Sequence, residues 1–174
     1  LSLMPGAMRL NLHANYAIFN NENYADRDSL LPEHFEKWAD WAVEKGIGLD
    51  FNPTYFSHPK SEHGTLSSAD EEVRQFWIRH GIACRKIGEY FANRTGKPCV
   101  INHWTLDGDK EFPIDTIGPR LRLKDSYDRV FEATKDVMTV NGSTKTLGNI
   151  VKYVMNMYVN ELQNYPMNVL EVQA

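Results

Sequence analysis

Histidine, carboxylate, amide and indole side chains placed at the ends of short apolar runs are what could do chemistry in this chain. His13 ends the run Met8–His13. An imidazole titrates near neutral pH, so it can take up and return a proton; the plainer reading of a lone strand-end histidine is structural. Trp104 ends the run Cys99–Trp104. Its flat apolar ring could stack on a ligand and exclude water, or serve as a core aromatic. Asp50 and Asn52 surround the end of the run Ile47–Phe51. They could bind hydroxyl groups, or satisfy the loop backbone as Asn and Asp commonly do. His58, Glu62 and His63 share one irregular loop with no fourth ligand at a useful spacing, so no metal site is expected there. Asp107, Gly108 and Asp109 begin like a calcium loop but lack its later positions and terminal Glu; a solvated turn is expected. Arg120, Arg122 and Lys124 gather near a helix start and are expected to be exposed. Cys84 and Cys99 form no metal or redox spacing and read as buried, reduced thiols.

These residues must be held by a repeated strand–helix alternation. Met8, Leu10 and Leu12 alternate with Arg9, Asn11 and His13, the period of a strand. Pro32 marks a helix start, and Phe35, Trp38, Ala39, Ala42 and Val43 make one apolar helical face that Gly46 ends. A second strand, Ile47–Phe51, precedes a long irregular stretch broken by Pro53, Pro59 and Gly64. Ser68 and Glu71 have capping-box spacing. The helix they predict runs to about Asn93, carries Val73, Phe76, Trp77, Cys84, Ile87 and Phe91 inward, and stops at Thr95-Gly96. Trp38, Trp41 and Trp77 fall on helices and read as packing residues. The third unit is Cys99–Trp104 followed by a helix from about Pro119, with Leu123, Tyr127, Val130 and Phe131 inward. Three successive βα units predict parallel strands with right-handed crossovers. No Gly-rich phosphate loop opens any of the helices. From Val137 the rhythm is lost: Asn141-Gly142 signals a turn, and Ile150, Val151, Val154, Tyr158 and Leu162 suggest one amphipathic helix.

Composition narrows the class. The chain has 174 residues, 42% of them hydrophobic and 24% charged, with 19 basic against 23 acidic side chains. A net charge of −4 gives no electrostatic reason to expect a nucleic-acid or anionic-membrane partner. No apolar stretch reaches the roughly 20 residues needed to span a bilayer, and Leu1–Gly6 has no basic start of an export signal. A complete eight-fold β/α barrel needs about 250 residues, so this length accommodates only part of one.

Four segments together resemble the L-rhamnose isomerase family: Arg9–Tyr16 (RLNLHANY), Gly48–Pro59 (GLDFNPTYFSHP), Arg74–Phe91 (RQFWIRHGIACRKIGEYF) and Gly96–Pro113 (GKPCVINHWTLDGDKEFP). Pro32–Ala42 and Gly118–Ser126 fit the same pattern, so the resemblance covers about residues 5–131. It implies an α/β chain built as part of a (β/α)8 TIM-type barrel, about three consecutive βα units over 1–136, with a divergent tail over 137–174. It also implies a cytoplasmic homo-tetramer that interconverts L-rhamnose and L-rhamnulose, a deoxy sugar pair, with a divalent metal, commonly manganese. His13 is then the ring-opening acid–base residue, and Trp104, Asn52 and Asp50 bind the sugar. The sequence departs from the family at two places. The family reads Asn-Ile-Trp-Ile-Pro-Asp-Gly where Asn102–Gly108 here reads NHWTLDG. The Glu-Ser-Lys and Gly-His segments that supply the family's metal ligands have no match in 137–174, nor is its upstream His-Cys-Trp-Gln-Gly present. The chain therefore reads as an internal piece of such an enzyme, without metal ligands and inactive by itself. Two alternatives stay open: another barrel isomerase or epimerase of a different sugar, and a non-catalytic barrel piece acting through a partner chain.

Overall fold

Alternation at the first run produces strand β1, Arg9–His13, whose Leu12 is buried while Arg9 and Asn11 face out. This computed structural model describes residues 6–19, 24–105, 107–108 and 114–136. Pro32 opens a 3-10 turn, Pro32–Phe35, that leads into helix α1, Glu36–Lys45. Gly46 ends it at φ 64°, a left-handed conformation that glycine adopts without steric cost. Phe35, Ala39 and Ala42 are buried, but Val43 is 49% exposed, so the apolar stripe is narrower than its spacing predicts. Strand β2, Gly48–Asn52, pairs in parallel with β1, from Arg9 opposite Gly48 to His13 opposite Asn52.

Helix α2, Glu71–Thr95, is capped by Asp70, whose Oδ1 accepts the N–H groups of Glu72 and Val73. The capping box predicted at Ser68 and Glu71 is not the one used: Ser68 Oγ instead accepts the Asp70 N–H at 3.2 Å. Helix α3, Gly118–Ala133, starts at the expected proline. The third expected strand is reduced to a single parallel bridge between Phe51 and Ile101. Its ladder consists of Phe51 N–H to Val100 O and Asn102 N–H to Phe51 O, both 2.8 Å. The Asp50 side chain takes the Val100 N–H at 2.8 Å, and Trp104 N–H turns back to Asn102 O at 3.1 Å. Backbone groups committed this way cannot extend a ladder. The sheet is therefore two parallel strands with a bridged third segment.

Two apolar clusters share α2. One packs Leu12, Phe35, Leu49, Phe51, Ile87 and Phe91 under the sheet. Within it Phe35, Phe51 and Phe91 meet edge to face at 5.2, 5.9 and 5.6 Å between centroids, the arrangement that ring quadrupoles favour. The other packs Tyr55, Leu66, Phe76 and Trp77 against Tyr127, Val130 and Phe131 of α3. Close approach is possible because α2 carries Gly81 and Gly88. A Cβ on Gly81 would lie 2.8 Å from Tyr55 Oη, and one on Gly88 would lie 2.5 Å from Ile101 Cδ1. Both cysteines are buried and free, and burial pushes both thiols up. No described helix is long and apolar enough to cross a membrane. The amphipathic helix suggested near Ile150–Leu162 lies outside the described residues.

Candidate active site

Parallel β/α folds put their sites at the carboxyl ends of strands. Here that edge carries His13, ending β1, beside Asn52, ending β2. The chain after β2 turns sharply at Thr54, which is fully buried and has φ 57°. A β-branched residue in the left-handed region is a backbone outlier that costs on the order of 1–3 kcal/mol. Several contacts hold it. Asn52 Oδ1 accepts the Thr54 N–H at 2.8 Å, Thr54 Oγ1 donates to Asn52 O at 3.1 Å, and Arg27 Nη1 donates to Thr54 O at 3.3 Å.

His80, buried on α2, supports the same turn. Its Nε2 faces Pro53 O at 2.6 Å and its Nδ1 faces Arg27 O at 2.8 Å. Only the imidazolium has protons for both carbonyls. Burial opposes that charge and outweighs the two carbonyls, holding the pKa down to about 4. The neutral ring therefore has one proton for two acceptors.

A line of aromatic rings crosses the carboxyl edge. His13 lies 5.5 Å from Tyr16 and 6.4 Å from Phe56, and Phe56 lies edge to face with Trp104 at 5.0 Å. His13, Phe56 and Trp104 are all half-buried, so the row is not sealed in the core. Phe56 thus joins the two residues singled out in the sequence. His13 Nδ1 lies 3.0 Å from Thr54 Oγ1. Neither Thr54 nor Phe56 carries a sequence signal for this role. Nothing in the local pattern predicts a threonine at positive φ, and Phe56 sits in a stretch without periodicity.

Asp50 is placed differently. Arg9 Nε and Nη2 reach its two oxygens at 2.8 and 2.6 Å, and the Val100 N–H takes Oδ1 again. Asp50 therefore ties β1, β2 and the bridged segment together from within the strand. Asn52 is 6% exposed and its Oδ1 accepts the Thr54 N–H, so that oxygen is held by the turn that follows β2.

The other polar residues resolve into structural ties. His58 Nδ1 accepts the Lys60 N–H at 3.1 Å, its Nε2 faces Asp26 Oδ1 at 3.0 Å, and its ring stacks on Phe76. The solvated turn expected at Asp107, Gly108 and Asp109 is corrected in part: Gly108 is exposed and Asp109 lies outside the described residues, while the Asp107 carboxylate is tied down, accepting from Thr65 N–H, Thr65 Oγ1 and Ser67 N–H at 2.6–2.8 Å. These donors lie in the loop before α2 and satisfy the half-buried carboxylate. The predicted exposure of Arg120, Arg122 and Lys124 is corrected as well. All three are half-buried, and Arg122 Nε donates to Ser67 O at 2.7 Å. Trp77 is fully buried, with its indole N–H on Lys60 O; Trp38 donates to Tyr16 O. His103 stacks on Tyr55 and meets its hydroxyl at 3.1 Å. Its Nε2 is buried without a hydrogen-bond partner among the described residues, and burial followed by the nearby Arg85 charge pushes its pKa down to about 3. Among the described residues, no three His, Cys, Asp or Glu side chains lie close enough to hold a metal ion. Those residues do not fit a divalent cation.

The family model for L-rhamnose isomerase (RhaA) matches residues 1–150. This chain belongs to the L-rhamnose isomerase family. The match runs past residue 131, where the recognisable motifs stop. An L-rhamnose isomerase of Mannheimia succiniciproducens is 50% identical over 130 residues, 75% of this chain and 31% of that protein. One of Rhodopirellula baltica is 51% identical over 131 residues, and one of Listeria monocytogenes 48% over 136, or 75% and 78% of this chain. The chain spans 30–32% of the length of these relatives.

Proposed function

We propose that this chain carries the sugar-facing, proton-transferring part of an L-rhamnose isomerase, an enzyme that converts L-rhamnose to its ketose. The observation that carries the reading is the row His13–Phe56–Trp104 at the carboxyl edge of parallel strands, in a chain of this family. A pyranose has an apolar C–H face and a polar rim, and the indole of Trp104 with the ring of Phe56 offers a wall for the former. His13 accepts the O1 proton as the C1–O5 bond breaks and returns it to O5, leaving the open-chain aldehyde. The aromatic wall excludes water from that exchange.

The same reading makes the chain part of a (β/α)8 barrel, in a cytoplasmic homo-tetramer, with manganese held by residues other than those described here. The parallel pairing of β1, β2 and the bridged segment supports the barrel. No step of the isomerisation that needs a Lewis acid is assigned to the described residues.

The test uses the 174-residue chain with L-rhamnose and Mn²⁺. No ketose is expected, whereas the sugar perturbs the Trp104 indole and His13 ring signals in NMR spectra, and Trp104→Ala abolishes the response. Turnover would place a metal site in this chain after all. No sugar response at any concentration would favour a non-catalytic role, a reading supported by the absence of a metal-ligand cluster among the described residues.

A further inference from the structure

Thr54 Oγ1 has three neighbours and one proton. The carbonyl of Asn52, at 3.1 Å, can only accept, so it takes the hydroxyl proton. The backbone N–H of Ala14, at 3.3 Å, can only donate, so it takes one oxygen lone pair. The remaining contact, His13 Nδ1 at 3.0 Å, meets the second lone pair. It can be satisfied only if Nδ1 carries the proton. A neutral imidazole has a single N–H, so Nε2 is then bare. No hydrogen bond reaches His13 Nε2 among the described residues, and it is not one of the buried unpartnered nitrogens, so it opens to solvent.

We propose that Thr54 is a positioning residue, which fixes His13 as the Nδ1–H tautomer and keeps Nε2 as a free lone pair at the carboxyl edge. The significance of that lone pair rests on the reading of His13 as the acid–base group; the tautomer itself does not. A ring-opening base must have an unprotonated nitrogen facing the sugar, and the wrong tautomer would present an N–H there instead.

The backbone conformation supports a hydroxyl-specific role. At φ 57° a glycine would sit without steric conflict, yet the position holds a β-branched residue. Threonine adds a hydroxyl whose direction is limited by a stiff χ1, and Asn52, Pro53, Thr54 and Tyr55 are each pinned by the contacts around the turn. The conformation is held in place so that one oxygen can serve β1, β2 and the imidazole together.

The experiment reads imidazole tautomers by two-bond nitrogen–proton NMR correlation on the full chain, well above the ordinary imidazole titration range. His13 is assigned by the signals lost in His13→Gln. Expected in the wild type is a protonated Nδ1 with a bare Nε2, retained in Thr54→Ser. Thr54→Val, which keeps the shape without the hydroxyl, should lose that pattern in favour of the other tautomer or a mixture. A wild-type His13 protonated on Nε2 overturns the proposal, as does loss of the pattern in Thr54→Ser or its survival in a folded Thr54→Val. If Thr54→Val does not fold, the wild-type and serine spectra still decide it. No sugar is present in these measurements, so failure of the isomerase reading appears separately, as an absent sugar response with the tautomer intact.

Discussion

Three donors converge on Asp50, two from Arg9 and one from the Val100 N–H. Arg9 also reaches the carbonyls of Leu49 and Pro98, so the pair acts as a clasp over three chain segments. Asp50→Ala should lower stability by about 1 kcal/mol in a urea melt, since the Arg9 side chain is 36% exposed and solvent screens the pair. The Trp104 response to sugar should not change. A weaker sugar response at unchanged stability would return Asp50 to the binding role that its sequence position suggested. His80 makes a pH prediction. Its unfolded imidazole ionises near 6.5, while burial holds the folded one down to about 4. Between these values the unfolded chain binds more protons, so this contribution is complete above pH 6.5 and is lost as the pH falls toward about 4. The gap corresponds to about 3 kcal/mol at roughly 1.36 kcal/mol per pKa unit. His103, pushed down to about 3, acts in the same direction. Urea midpoints from about pH 6.5 to 5, above the carboxylate range, should fall with acid. A flat profile there would show that these rings are not held neutral.

Helix α2 is the element on which both apolar clusters depend, and its glycines set how close the neighbours come. Replacing Gly81 by Ala gains up to about 1 kcal/mol of helix propensity. The new methyl, however, would stand 2.8 Å from Tyr55 Oη and 3.0 Å from Val130 Cγ2, and overpacking a filled core costs about 1–3 kcal/mol. Tyr55 cannot retreat easily, because its ring is buried between Trp77, His80 and His103. Gly81→Ala should therefore destabilise by about 1 kcal/mol net. A Gly81→Ala chain more stable than wild type would show that the Tyr55 contact is loose. The ends of α1, α2 and α3 were readable from Gly46, Gly96 and Pro119, because caps are local chemistry. The capping-box spacing sets the start of α2 two residues early, since Ser68 and Asp70 are both cap-forming residue types and only the fold decides which one faces the open N–H groups.

At the scale of the molecule, β1 has a strand neighbour on only one side among the described residues. Ile114, Ile117 and Leu121 are exposed around the start of α3, and Val100 is exposed on the bridged segment. Open strand edges and apolar surface promote association. The purified chain should elute larger as its concentration rises and should bind a hydrophobic dye. A monodisperse monomer that binds no dye would refute this.

The order of strands and helices, their parallel sense and the family were legible in the sequence alone. Periodicity, caps and contiguous motifs all act over a few residues, so they survive without a structure. That His13 ends β1 and that Trp104 follows the bridged segment was legible for the same reason, though the strand expected before Trp104 is reduced to that bridge. What joins them was not. Thr54 meets His13 across 41 positions, Arg9 meets Asp50 across 41, and Asp107 ties down Thr65 across 42. Each of these polar groups had several possible partners, and only folding brings one of them within reach while removing water as a competitor. The third strand was shortened for that reason too: its apolar run is strand-like, but the Asp50 carboxylate delivered by β2 claims the Val100 N–H.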